Sequence, residues 1–297
     1  MADFAWGSCI LASAHFAGHD PGQLTKSVGG IEMAGELAYH DEAAAEYDRA
    51  FAHVSSHFLP FLLGAAGVAT GMEVLDIATG TGLAAEACLH AVGSKGHVVA
   101  ADLSAAMVEQ AERRLGTRPN VTFAVENGQS LSFADESFDA LICSLELMFF
   151  PDPLSGLSEF LRVLRPGGRA AVSVLTVPER SYNGRINAVI AKHLPAISEA
   201  TARTFALGDT AHLRQLFESA GFQNVEIFQQ AHRFGLPSFD AYFGPFERGG
   251  ASTGQAYLSL SPSARKTVRE EVQHGLGDTG GPVEIEVEFQ FASGQRG

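Results

Sequence analysis

Residues 74–85 read VLDIATGTGLAA: an apolar run, a bend holding Gly80 and Gly82, then small residues of helical character. Glycines at such a bend let the backbone turn sharply out of a strand and approach a ligand closely. Strand, glycine turn and helix in that order predict a crossover unit of a parallel sheet. The downstream sequence continues the alternation. LAAEACLHAV reads as a helix, HVVAAD (97–102) as a second strand and residues 104–115 as a helix capped by Ser104. VTFAVE (121–126) and FDALICS (138–144) read as the third and fourth strands. A helix over 154–164 ends at RPGG, and AAVSVLTV (170–177) follows as a strand. The expected class is α/β, a doubly wound sheet covered by helices on both faces.

The flanks are less regular. Residues 1–32 show no sustained period and are expected to be peripheral, and Met33 opens the first plausible element, a candidate translation start. From Asp41 the sequence turns alanine-rich and helical, with a break expected near Pro60. In the last third, residues 211–222 form an amphipathic helix, 224–229 a strand, and 238–246 and 261–274 further helices. VEIEVEFQF (283–291) alternates strictly, with Glu284, Glu286 and Glu288 on one side. Those acids require water or basic partners if the strand is internal. The division expected is a domain over 33–297, with a ligand-binding core at 41–180 and a cap portion at 181–297.

Charge and thiols narrow the partners. A formal net charge of -14, with basic residues scattered, repels a phosphate backbone and an anionic membrane surface, so neither nucleic acid nor membrane is expected. Cys9, Cys88 and Cys143 form no C-x-x-C pair, which argues against a disulfide framework or a zinc site and fits a reducing cytoplasm. No apolar run approaches the ~18 residues of a membrane span, and the N-terminus lacks the basic region of a signal peptide. No metal site is expected, and a homodimer is compatible with the sequence.

The glycine turn fits a dinucleotide fingerprint, G-x-G-x-x-A, yet Asp76 stands four residues before Gly80. A pyrophosphate bound at the helix N-terminus would be repelled by it. Two unit charges ~4 Å apart at an effective dielectric of ~20 interact by roughly 4 kcal/mol. The sign favours a ligand that brings positive charge and no phosphate. VLDIATGTG resembles the first motif of the class I S-adenosylmethionine-dependent methyltransferases, an acid followed by a glycine-rich turn, with Ala78 standing where the pattern has glycine.

That resemblance implies S-adenosylmethionine as cofactor, bound by Asp76, Ala78, Thr79, Gly80, Thr81 and Gly82. Asp102 would accept the ribose hydroxyl protons, a feature shared with nicotinamide enzymes. Asp102-Leu-Ser-Ala-Ala-Met107 resembles the family's D-x-S-x-x-M, so Leu103 and Met107 would pack the adenine. Asn127, Gly128 and Gln129 replace its adenine-edge turn, and Ser144 ends the fourth strand at the ligand edge. Tyr47 lies in the covering helix, where its hydroxyl would reach the methionine carboxylate. Glu146 is the candidate catalytic residue, an ionisable group where relatives usually carry a small one.

The implied fold is Rossmann-like, with seven strands in the order 3-2-1-4-5-7-6, the last antiparallel, and a helical cap after residue 180. The implied reaction is in-line methyl transfer to a small, partly apolar metabolite. Phe149, Phe150, Tyr182, Tyr242, Phe243 and Phe246 offer aromatic surface for it. The quinone-methylating branch is the nearest named relative, but YDRAFAHVSSHFLPFLL lacks its H-R-x-W stretch, so quinone synthesis is not assigned.

Overall fold

The structure, a computed structural model, describes residues 50–278 and 280–297. Tyr47, the segment 1–32, and the candidate start at Met33 lie outside the described residues.

Strands β1 (Glu73–Ile77), β2 (His97–Asp102), β3 (Val121–Val125), β4 (Phe138–Ser144), β5 (Leu164–Leu175), β6 (Gln223–Leu236) and β7 (Val283–Gln295) form one sheet. Its order is β3-β2-β1-β4-β5-β7-β6, as expected. The first five strands pair in parallel, and β7 runs antiparallel between β5 and β6. Because β1 is covered on both faces, it reads as a continuous apolar run interrupted only by Asp76.

Helices α1 (50–66), α2 (Leu83–Val92) and α3 (Ala105–Leu115) accompany the first strands. Helices α4 (Pro153–Val163) and α7 (Thr210–Ala220) pack against each other. Their residues Leu157, Phe160, Leu213 and Phe217 share a core with Leu75, Ile77 and Leu141. The opposite core joins α1 and α2 to the cap helices α5 (Gly184–Ile190), α8 (Phe239–Glu247), α9 (Ala251–Ser259) and α10 (Pro262–Gly275). Helix α6 (Ala196–Thr204) completes the cap and meets the short turn Leu147–Phe149 beyond β4.

Three expectations need correction. Helix α1 continues through Pro60. Its buried stripe of Val54, Phe58, Leu62 and Ala66 docks on the sheet, and this packing outweighs the hydrogen bond a proline removes. The break at RPGG is a bulge inside β5, where Gly167 adopts φ 82° and the register shifts between Phe138 and Ala140. Arg296 and the Gly167–Gly168 backbone exchange hydrogen bonds there, so the strand starts at Leu164. Strand β6 runs to Leu236, well past residue 229, because β7 supplies a partner along its whole length.

The glutamate face of β7 resolves by pairing. Glu288 is buried and bonded to Arg180, and Glu286 pairs with Arg233 of β6 at 2.9 Å. Farther along, fully buried Gln290 accepts hydrogen bonds from Thr210 and Gln229. Glu284, at the strand's open end, is exposed.

On the other face of β7, Phe289 stacks on Phe58 of α1 with ring centroids 4.3 Å apart. Phe58 is 2% exposed, so Phe58→Ala leaves a cavity between helix and sheet. We expect a loss of ~3–5 kcal/mol in urea unfolding, and a loss below ~1 kcal/mol would show that α1 does not dock as described.

Candidate functional site

The turn after β1 is stitched to the end of β2. Thr79 N–H donates to the Ala101 carbonyl and Gly80 N–H to Asp102 Oδ2, both at 2.9 Å. Asp102 Oδ1 accepts from Ser104 N–H at 2.9 Å, which fixes the carboxylate over the start of α3. Ala78, Gly80 and Gly82 all take left-handed φ, at 59°, 57° and 84°. The glycine of the related motif is therefore a backbone requirement that Ala78 meets under strain of ~1–2 kcal/mol. Gly82 has a second reason: a Cβ there would sit 3.1 Å from Ala111, where α3 crosses close beneath.

Asp76 is fully buried behind this turn. Its Oδ2 accepts from the Thr79 hydroxyl at 2.6 Å, while Oδ1 is buried with no hydrogen-bond partner. Burial pushes the carboxyl up to about 7; the Thr79 hydroxyl opposes this, the charge of Asp102 adds to it, and the nearby Ala85 N–H of α2 opposes it weakly. Asp102 is likewise raised, first by burial, and its bonds from Ser104 and Gly80 hold it back. Two carboxylates thus bracket the N-terminus of α2, and the neighbours setting their ionisation include no cationic side chain.

Beyond Asp102, Leu103 is 40% exposed and Met107 half-buried on the first turn of α3. Asn127 is exposed after β3, and its Oδ1 accepts from Gln129 N–H at 3.0 Å. The Gln129 side chain accepts from Asp152 N–H at 2.6 Å, tying this loop to the start of α4. Gly128 lies on Phe150, and a Cβ there would meet the ring at 2.5 Å. Phe150, expected as acceptor surface, is instead the support of that loop.

Ser144 lies at the end of β4 beside Ser173 of β5, 3.5 Å between hydroxyls. The chain then passes through Leu145 in a left-handed conformation, φ 60°, and reaches Glu146. Burial raises the Glu146 carboxyl well above the usual carboxylate range, with Asp102 adding to the effect. Part of the side chain still reaches solvent. Glu146 is thus a half-buried acid just beyond the carboxyl end of β4.

The sequence-derived residues on β1, β2, β3 and β4 therefore gather along the carboxyl edge of the sheet. The cap aromatics do not join them. Tyr242, Phe243 and Phe246 are fully buried and Tyr182 is 4% exposed, because they pack with Phe51 and Tyr257 as the cap's own core. His53 and His57, which precede the turn, pack on Tyr182, Phe234 and His232. Asp139 accepts from Glu73 N–H and pairs with Arg165, a structural tie between β4, β1 and β5. Cys143 is fully buried in the core, with its thiol pushed up by desolvation.

Among the described residues no cluster of His, Cys, Asp or Glu could hold a metal ion, and no helix is long and apolar enough to cross a membrane. Leu145 is a contributor that pattern reasoning missed, and Phe150 is one to which it gave another role. A positive φ at a leucine leaves no sequence signal, whereas Gly128 and Gly156, which both close on the Phe150 ring, were a readable hint.

Residues 74–168 match the family described as a methyltransferase domain. The chain is 35% identical over 205 residues to the demethylmenaquinone methyltransferase of Clavibacter sepedonicus, covering 64% of this chain and 82% of that one. It is 36% identical over 183 residues to the ubiquinone/menaquinone biosynthesis C-methyltransferase of Haemophilus ducreyi, covering 57% and 71%. A structure of Haemonchus contortus phosphoethanolamine N-methyltransferase 2 with phosphomonomethylethanolamine and S-adenosylhomocysteine superposes with a TM-score of 0.56. It is 17% identical and the match covers 91% of this chain and 60% of that one.

The buried Asp76 carboxyl makes stability depend on pH. Unfolded, it ionises near 3.8; folded, it holds its proton to about 7, so the folded state binds the extra proton between those values. Stability therefore falls as pH rises through that window, by at most ~4 kcal/mol. Asp76→Asn removes the effect, so we expect its melting temperature to gain on the parent between pH 5 and pH 8 in ligand-free protein. An offset that does not change with pH would contradict the assignment.

Proposed function

Since the chain belongs to the class I S-adenosylmethionine-dependent methyltransferases, we propose that the cleft along the carboxyl edge of its sheet binds S-adenosylmethionine and a small, partly apolar methyl acceptor. The observation that carries this reading is the pair of carboxylates around the glycine turn, one of which, Asp76, has a buried oxygen without a partner. A cationic guest offsets that charge; a pyrophosphate adds to it. The residues present fit the cofactor on this ground.

In this reading Asp102, already oriented by Gly80 and Ser104, keeps acceptor capacity for the ribose hydroxyls. Leu103 and Met107 offer apolar surface to the adenine on one side, and Asn127 presents polar groups at its edge. Gly128 and Gln129 shape that loop through Phe150 and Asp152. Ala78, Thr79, Gly80, Thr81 and Gly82 let the backbone close on the amino-acid end of the cofactor, with Asp76 supplying negative charge beneath. Ser144 stands between the cofactor and the acceptor, and the Tyr47 hydroxyl, outside the described residues, is assigned to the methionine carboxylate on the sequence resemblance alone.

S-adenosylmethionine supplies a methyl group on a sulfonium leaving group, for in-line displacement by the acceptor. What the protein contributes is alignment at contact distance and exclusion of water from the cleft. Residues 41–180 form the cofactor portion and 181–297 the acceptor portion in this reading. The two curated relatives support an acceptor of quinone-like size and apolarity without naming it. The scattered basic residues and strong net negative charge support a small-molecule acceptor in the cytoplasm over nucleic acid.

Thermal-shift titration tests the cofactor assignment. We expect S-adenosylmethionine and S-adenosylhomocysteine to raise the melting temperature and NAD and NADP to leave it unchanged. Asp102→Asn should weaken both sulfur ligands ~10- to 100-fold, as loss of charge-assisted hydrogen bonds predicts. Stabilisation by NAD alone would overturn the proposal.

A further inference from the structure

Glu146, half-buried beyond β4, lacks the partner that the other inward-lying acids have. Among the described residues no side chain or backbone group hydrogen-bonds or pairs with its carboxylate; the nearby bonds are made by other atoms. Leu145 N–H goes to Ser173, and the Glu146 carbonyl accepts from Phe149 N–H at 2.8 Å. An unpaired carboxylate removed in part from water is unfavourable, and the left-handed backbone at Leu145 adds strain beside it. Such a combination has a physical rationale when a ligand supplies the missing partner.

The surroundings say what kind of partner. The ionisable group that bears on Glu146 is Asp102, and Asp76 acts together with Glu146 on the buried thiol of Cys143 on β4. All three are acids, so the site is acidic across the neighbouring strands β2, β1 and β4. An anionic acceptor, such as a carboxylate or phosphate, would meet like charge on each side. A nucleophile carrying a proton, neutral or cationic, would meet an acceptor for that proton.

We infer that Glu146 is a catalytic residue that takes the proton from the N–H or O–H nucleophile of a non-anionic acceptor, an inference that rests on the cofactor reading above. In the step, the acceptor's lone pair forms the bond to the methyl carbon. The carbon–sulfur bond breaks with its electron pair retained by sulfur. The acceptor's proton passes to the Glu146 carboxylate, which releases it to solvent through the open side of the cleft. No other reactant is required. Burial raises this carboxyl above its ordinary range, which makes the ionised form a stronger proton acceptor than a solvated glutamate.

The test needs no knowledge of the acceptor. Sinefungin carries an ammonium group on the carbon that replaces the methylated sulfur, so it places a proton-bearing cation where Glu146 is inferred to act. By calorimetry on the full chain at pH 7.5, sinefungin should bind at least ~10-fold tighter than S-adenosylhomocysteine, as one charged hydrogen bond predicts. Glu146→Gln should abolish that preference while leaving S-adenosylhomocysteine affinity within about twofold.

In the unaltered protein the preference should also fall as pH is lowered and Glu146 gains its proton, which keeps the test valid if the variant does not fold. A preference that is absent, or that survives both Glu146→Gln and acidification, overturns the inference but leaves the cofactor reading standing. Failure of the unaltered protein to bind either compound overturns both.

Discussion

The bond between Gly80 N–H and Asp102 Oδ2 joins the two halves of the site. A second bond, from Thr79 N–H to the Ala101 carbonyl, holds the left-handed turn after β1 against the end of β2. The same carboxylate is bound by Ser104 at the entrance of α3. One acid therefore sets the distance between turn, second strand and third helix, and does so with an oxygen that also faces the cleft. Its position is fixed before any ligand arrives, which is what preorganised binding requires. Asp76 acts from beneath in another way: its buried, half-satisfied carboxyl is a source of instability that a cationic guest would relieve.

Much of this was legible because parallel sheets write themselves strongly into sequence. The buried run ending at Asp76, the glycines and the acid at the end of HVVAAD are local signals tied to one geometry, and the structure puts them at one edge. The N-cap at Ser104 was readable for the same reason, since a serine before an apolar helical period has few other uses. What failed was non-local. Pro60 lies inside α1 because Phe58 and Leu62 grip the sheet, and no window of sequence around a proline reports such a grip. Helices α5, α6 and α9 were missed. In α9 Gly254 lowers propensity while permitting a backbone approach within 2.5 Å of where its Cβ would stand.

The aromatic residues of the cap show why composition misleads about sites. Tyr242 is fully buried, donates its hydroxyl to the Tyr182 carbonyl at 2.7 Å, and packs edge-on to Tyr182. A tyrosine that has satisfied its only donor inside the protein has no reason to face a substrate. The glutamates of β7 follow the same logic. Arg180 and Arg233 come from elsewhere in the chain, and only the fold reveals that each acid has its base.

Set beside those paired acids, the cleft is distinctive for what its acids lack. Glu286 and Glu288 have arginines, Asp139 has Arg165, and Glu159 has Arg162. Arg162 holds Glu159 below the usual carboxylate range, the opposite of what happens at Asp76, Asp102 and Glu146. The chain thus neutralises these acids where they serve structure, and at the carboxyl edge, among the described residues, it leaves Asp102 repelling both Asp76 and Glu146. Repulsion of this kind is tolerated in a stable protein only at a few kcal/mol, and it lowers the free energy of any complex that brings in positive charge. The cleft's electrostatics therefore discriminate by the sign of the guest, before shape or hydrogen bonding select among the cations that remain.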